Sequence, residues 1–150
     1  MMYDFEGDLL LCDTPDGGDV LLENGLFNDD QGFSTAVYLS LFGGNKEDAG
    51  KVKNSKTWWG NRLSGTTEAE KIISRFQNII TSLPITVKNI KAAESAAMLD
   101  LKWIIDLGVA DKIEATGRSL EKGRFELTVN IYKDKNTIYK NSFYNLWMAA

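Results

Sequence analysis

The stretch "RFELTVNIY" (Arg124–Tyr132) decides the fold. Phe125, Leu127, Val129 and Ile131 occupy every second position, with Glu126, Thr128 and Asn130 between them. That is the period of a strand with one face in a core and the other in water. Working outward, Glu121-Lys122-Gly123 reads as the turn that follows "DKIEATGRSL" (Asp111–Leu120), and Lys133 to Asn136 as the next turn. "TIYKNSFYNLW" (Thr137–Trp147) then supplies a third strand with an aromatic end. The C-terminal third is therefore an antiparallel meander.

Upstream the period changes to that of a helix. From Thr67, the residues Ile72, Ile73, Phe76, Ile79, Ile80 and Leu83 recur at three- and four-residue spacing, with Lys71, Arg75, Gln77 and Asn78 facing outward. Pro84 ends this helix at or before Leu83, because the residue preceding a proline is pushed out of the helical region. A second helix is expected from about Thr86 to Leu107, burying Ile90, Ala93, Ala97, Leu101, Ile104 and Ile105. Gly108 sits where a left-handed cap belongs.

The first third reads as short strands and turns. Asn24-Gly25 between apolar flanks is a hairpin signal, since both central positions of a type I′ turn need positive φ. "DTPDGGD" (Asp13–Asp19) is a turn cluster whose Pro15 and Gly17 break a calcium-loop register. "FSTAVYLSLF" (Phe33–Phe42) is short enough for strand or helix, and the helical reading, capped by Ser34, is preferred. The expected fold is a single α+β domain over residues 1–150. Two main helices pack on a small antiparallel sheet, with the C-terminal three-stranded meander and an N-terminal hairpin.

Composition narrows the chemistry. A chain of 150 residues can bury a sizeable core without staples. Its net charge of -4, with basic residues read as spread out along the chain, argues against nucleic acid as a partner. Cys12 is the single cysteine and there is no histidine, which removes an internal disulfide, Cys-His or Ser-His nucleophile pairs and the usual zinc ligands. The acidic start Met1-Met2-Tyr3-Asp4-Phe5-Glu6 is unlike a signal peptide, and no apolar run reaches the roughly 18 residues of a membrane span. No metal, cofactor or membrane partner is expected, and the chain is placed in a cytoplasm or in something assembled there.

Carboxylates are the remaining catalytic candidates, and Glu94, beside the apolar stripe of the second helix, is the best of them. A glycosidase would need a second carboxylate about 5–10 Å away, and none is evident. "KTWWGNRLSG" (Lys56–Gly65) holds Trp58, Trp59, Gly60 and Arg62 in a polar stretch. Adjacent side chains alternate in extended chain, so one ring packs inward and the other is left for a surface or a partner. Structural packing, a protein interface and a small ligand all remain open for this group, and for Arg62 so do stacking on the outer ring and pairing with a nearby carboxylate. At the other end, Ile138 and Tyr139 lie on a strand that would present an edge to a partner, and Phe143, Tyr144 and Trp147 argue that the tail is docked.

The order of these segments resembles a known family. "TAVYLSLFGG" (Thr35–Gly44), "WWGNRLSG" (Trp58–Gly65), "LKWIIDLGVADKIEA" (Leu101–Ala115) and "FYNLW" (Phe143–Trp147) look like the small baseplate protein of Mu-like contractile-tailed phages. The resemblance runs from about Asp8 to Trp147. That family is in turn similar to the wedge or sheath-initiator proteins, once described as lysozyme-like, of larger phages. The resemblance implies a virion structural protein without enzymatic activity, a monomer alone and six copies in the baseplate, joining hub, tube, sheath and wedge subunits. It also implies assembly in the host cytoplasm. The Glu-Pro-Arg motif of the sheath initiators is replaced here by Trp103-Ile104-Ile105-Asp106-Leu107-Gly108, so contacts of that motif do not transfer. The stretch Glu68–Leu83 is longer than in Mu-like members and implies an extra helix. A peptidoglycan glycosidase using Glu94 and a small prophage adaptor domain are the alternative readings.

Overall fold

The computed structural model describes residues 8–9, 11–14, 17–20, 22–23, 26–27, 29–30, 33–44 and 71–147. The chain divides into two compact units, Met1–Leu39 and Ser40–Ala150. The fold is α+β, as the alternation of periods predicts.

In the first unit three antiparallel pairs are nested. β2 (Leu11–Thr14) pairs with β3 (Gly17–Val20), and β4 (Leu22–Glu23) with β5 (Leu26–Phe27). Both lie between β1 (Asp8–Leu9) and β6 (Asp29–Asp30), which pair with each other. Glu23 opposes Leu26, the register expected of an Asn-Gly hairpin. The "DTPDGGD" turn is tighter than its composition suggests, because Asp13, Thr14 and Gly17 to Asp19 belong to strands. This unit also corrects the picture of evenly spread charge. It carries nine carboxylates (Asp4, Glu6, Asp8, Asp13, Asp16, Asp19, Glu23, Asp29 and Asp30) and no lysine or arginine.

Helix α1 (Phe33–Phe42) confirms the helical reading of its segment, and it begins one residue before Ser34. The second unit begins within α1, at Ser40. It continues with α2 (Arg75–Ser82), α3 (Val87–Asp100) and α4 (Lys102–Asp106). A sheet of β7 (Lys112–Ser119), β8 (Arg124–Lys133) and β9 (Asn136–Leu146) completes the unit.

The first helix of this unit starts later than its apolar spacing suggests. Residues 71–74 are not helical, because Ser74 is extended and accepts a hydrogen bond from the Gln77 N–H at 3.0 Å as the N-cap of α2. Ile72 and Ile73 therefore precede the helix, while Phe76 and Ile80 carry its buried face. Leu83, just before Pro84, is extended as expected. The second helix is interrupted at Leu101, which separates α3 from α4. Its buried stripe is Ala93, Ala97, Leu101 and Ile104, whereas Ile105 faces outward.

Sheet order is β7-β8-β9, fully antiparallel, as the meander predicts. Phe125, Leu127, Val129 and Ile131 are all fully buried, so the alternation of β8 points its apolar side into the core. Lys122 and Gly123 supply positive φ at the first turn, Asp134 and Lys135 at the second. Among the described residues, five rings form a continuous chain of contacts. Phe143 meets Phe42 (5.6 Å between centroids), Phe42 meets Phe76 (5.6 Å), Phe76 meets Phe125 (6.2 Å) and Phe125 meets Trp147 (5.1 Å). Tilted and edge contacts at such distances each add to area burial.

Candidate functional site

The segment α3–α4 is built to be buried on one side. Thr86 caps α3 by accepting the Asn89 N–H at 3.1 Å, and the small Ala93, Ala96 and Ala97 let neighbouring elements approach closely. The C-terminal end is a Schellman motif: the Gly108 N–H reaches the Ile105 carbonyl at 2.8 Å, and the Val109 N–H reaches that of Ile104 at 3.0 Å. Gly108 adopts φ +72°, the left-handed conformation expected at this position.

The other side of the same helical segment is apolar and open. Leu99 is 57% exposed, Trp103 39% and Leu107 71%, at four-residue spacing, and Met98, Ile105 and Val109 are exposed as well. Trp103 donates its indole N–H to Ser40 Oγ at 3.0 Å. Its polar atom is thereby satisfied while part of the ring stays in solvent, the arrangement that makes tryptophan a frequent interface residue. Composition and period placed Ile105 in the core and left Leu99, Trp103 and Leu107 unassigned. The signal for this surface was the length of the apolar run, which exceeds what one buried stripe can absorb.

The C-terminal residues separate into distinct roles. Trp147 is docked on its own core: its ring packs on Phe125, its backbone N–H reaches the Gly123 carbonyl at 2.9 Å, and its indole N–H donates to the Leu83 carbonyl. Phe143 and Tyr139 lie on the inner face, opposite Leu127 and Ile131. Tyr144 lies on the outer face, opposite Glu126. Ile138 is the extra residue of a β-bulge, since Ile131 pairs with Tyr139 and Tyr132 with Thr137. β9 is an edge strand of the sheet. Trp58, Trp59, Gly60 and Arg62 lie outside the described residues.

The outer face of the sheet satisfies its own charges. Glu114 accepts from Lys112 Nζ at 2.6 Å and from the Tyr132 hydroxyl at 2.8 Å, and these donors hold its pKa below the ordinary value. Glu126 is held low in the same way, first by Tyr144 and then by Arg118. Such a ladder suits a solvated face.

Two buried carboxylates do structural work. Glu94 accepts the Gly117 N–H at 2.8 Å and Lys91 Nζ at 2.9 Å, tying α3 to the edge of β7. Asp100 accepts the Phe76 N–H at 2.9 Å and Arg75 Nη1 at 3.0 Å. Burial pushes the Asp100 pKa up in spite of these donors. Among the described residues no group of three or more His, Cys, Asp or Glu could hold a metal ion, and no helix is long and apolar enough to cross a membrane. No family model, curated protein or solved structure matches the chain.

Proposed function

We propose that this chain is a structural component of a contractile-tail baseplate, a wedge or sheath-initiator-like subunit that acts by binding hub, tube and wedge neighbours and performs no catalysis. One observation carries the reading. The segment "WIIDLGVA" (Trp103–Ala110), through which the chain most specifically resembles the Mu-like baseplate proteins, divides its residues between core and solvent. Ile104 and Ala110 anchor the helix end, and Trp103, Ile105, Leu107 and Val109 are held outward on a rigid Schellman corner. Large apolar side chains held in solvent beside an exposed ion pair, a tryptophan among them, are the kind of surface a protein partner covers. The fate of Glu94 supports the same reading, because its carboxylate is committed to Gly117 and Lys91.

The test is electron microscopy of tails from a phage lacking this gene, complemented with the wild-type chain or with Leu107→Asp. Sheathed tails are expected with wild type, and free tubes or partial wedges with the variant. Normal tails without any copy of the chain would overturn the reading.

A further inference from the structure

We infer that Glu94 and Asn141 guard the two edges of the β7-β8-β9 sheet. Each sets its own side-chain oxygen where the carbonyl of an added strand would sit, and so keeps the sheet from extending. Gly117 faces Leu127 across β7 and β8, yet its N–H goes to Glu94 Oε1 at 2.8 Å. It therefore belongs to a pair that exchanges no ladder bonds, and by alternation Ile113, Ala115 and Gly117 turn their backbone groups to the free edge. The same geometry holds on β9. Ser142 faces Thr128 with the two hydroxyls 2.9 Å apart, and its N–H goes to Asn141 Oδ1 at 2.9 Å. Lys140, Ser142 and Tyr144 are thus the edge-facing residues of that strand.

An unpaired edge is a template for another strand, which it holds by consecutive main-chain bonds. Neither edge offers a long run of them. On β7 the run of Ile113 and Ala115 stops at Gly117. On β9 the capped Ser142 separates Lys140 from Tyr144, and the bulge at Ile138 ends regular pairing beyond it. Glu94 is the firmer guard. It is 7% exposed and also accepts Lys91 Nζ at 2.9 Å, so an incoming strand would leave its buried carboxylate without the Gly117 donor. Gly117 lets Glu94 reach the edge, because a Cβ there would lie 3.1 Å from Ile90 Cγ2, one turn before Glu94 on α3. Asn141 is exposed and holds only the next N–H in sequence, which makes its cap the easier to displace.

Sedimentation velocity on the full chain between about 1 µM and about 1 mM tests this. Wild type is expected to stay at 16.7 kDa throughout. Glu94→Ala bares the Gly117 N–H, and its mass should rise with concentration toward twice that value or beyond. Glu94→Gln keeps an acceptor oxygen and should stay monomeric. Adding Thr116→Lys, at an exposed position of β7, to Glu94→Ala puts a charge on the bared edge and should return the monomer. Asn141→Ala, also at an exposed position, should associate through β9, and it carries the test if Glu94→Ala does not fold. Far-UV circular dichroism checks the fold of each variant. A wild type that self-associates, a folded Glu94→Ala or Asn141→Ala that stays monomeric across the whole range, or Glu94→Ala association that Thr116→Lys leaves untouched would each overturn the inference.

Discussion

Asp100, the last residue of α3, accepts the backbone N–H of Phe76 at 2.9 Å and so caps the first turn of α2 across 24 positions of sequence. Ser74 satisfies the next free donor, the Gln77 N–H, so the two side chains together close the start of that helix. Arg75 Nη1 pairs with the same carboxylate at 3.0 Å and is itself half exposed.

The cap yields a pH dependence of unusual sign. Burial raises the Asp100 pKa in the folded state. A carboxyl whose folded pKa exceeds its unfolded one contributes stability that is fully present below the unfolded value and is lost as pH rises through the folded one. Asp100→Asn keeps an acceptor for Phe76 and cannot titrate. Urea denaturation of both proteins from about pH 3.5 upward should therefore show wild type losing ground to the variant once pH passes about 4. Glu114 and Glu126, with lowered pKa values, act in the opposite direction and are common to both proteins. A wild type that gains on the variant as pH rises would contradict the buried-carboxyl account. Asp100→Ala, which leaves the Phe76 donor bare, should cost about 2 kcal/mol at the acidic end of this range and less as pH rises, since alanine does not titrate either.

Gly117 makes a second cost computable. A Cβ there would lie 2.6 Å from Phe125 Cζ and 3.1 Å from Ile90 Cγ2. The Phe125 ring is fully buried among other rings and has nowhere to move. Gly117→Ala should destabilise by about 1–3 kcal/mol through overpacking, in spite of alanine's lower unfolded-state entropy. Equilibrium denaturation measures it, and an unchanged midpoint would mean that α3 and β7 are not in close contact at this position.

Much of this architecture was legible in the sequence, and the exceptions have physical causes. The strict alternation of Phe125 to Ile131 has one solution, a half-buried strand, and it fixed the meander together with its inner face. Gly108 was equally readable, because a helix end followed by glycine has few alternatives. The start of α2 was misplaced because Ile72 and Ile73 continue the apolar spacing. Ser74 overrides that spacing through tertiary bonds, its hydroxyl donating to the Leu41 carbonyl and its backbone N–H to that of Gly44, which a local reading cannot weigh. The candidate surface at Leu99, Trp103 and Leu107 was missed for a related reason: apolar residues are assigned inward by default, and Ile104 and Ile105, adjacent in sequence, differ only in which side of α4 they occupy.

Charge placement in the first unit leads to a third prediction. Asp8 is the direct cross-strand partner of Asp30, and Leu9 that of Asp29, in a unit with no basic residue. Like charges opposite each other in an antiparallel pair repel. Asp30→Lys converts that pair to an attractive one and should slow hydrogen exchange of β1 and β6 amides, by about 0.5–1 kcal/mol in opening free energy. Raising salt from about 50 to about 500 mM should slow exchange in wild type and have less effect on the variant, since screening acts on repulsion that the variant lacks. Exchange that ignores both changes would show that β1–β6 pairing is limited by something other than charge.

The segment carrying Trp58 and Trp59 can be tested through its anchors. Gly44 and Ser74 are joined by a backbone hydrogen bond of 2.7 Å, and Gly44 approaches Ile72 so closely that a Cβ would lie 2.4 Å from its carbonyl oxygen. The chain therefore leaves and returns at one point. A linker of about four residues, with a reach of about 13 Å, can replace residues 45–70 without moving either anchor. Shortening the connection between the two anchors lowers its closure cost by about 1.5 kcal/mol. The shortened chain is expected to unfold cooperatively, with a midpoint equal to or above that of wild type, and to fail in tail complementation. That result would assign Trp58, Trp59 and Arg62 to a partner. Loss of cooperative unfolding would assign the tryptophans to packing within the chain, and Trp58→Ala and Trp59→Ala singly would then show which ring carries it.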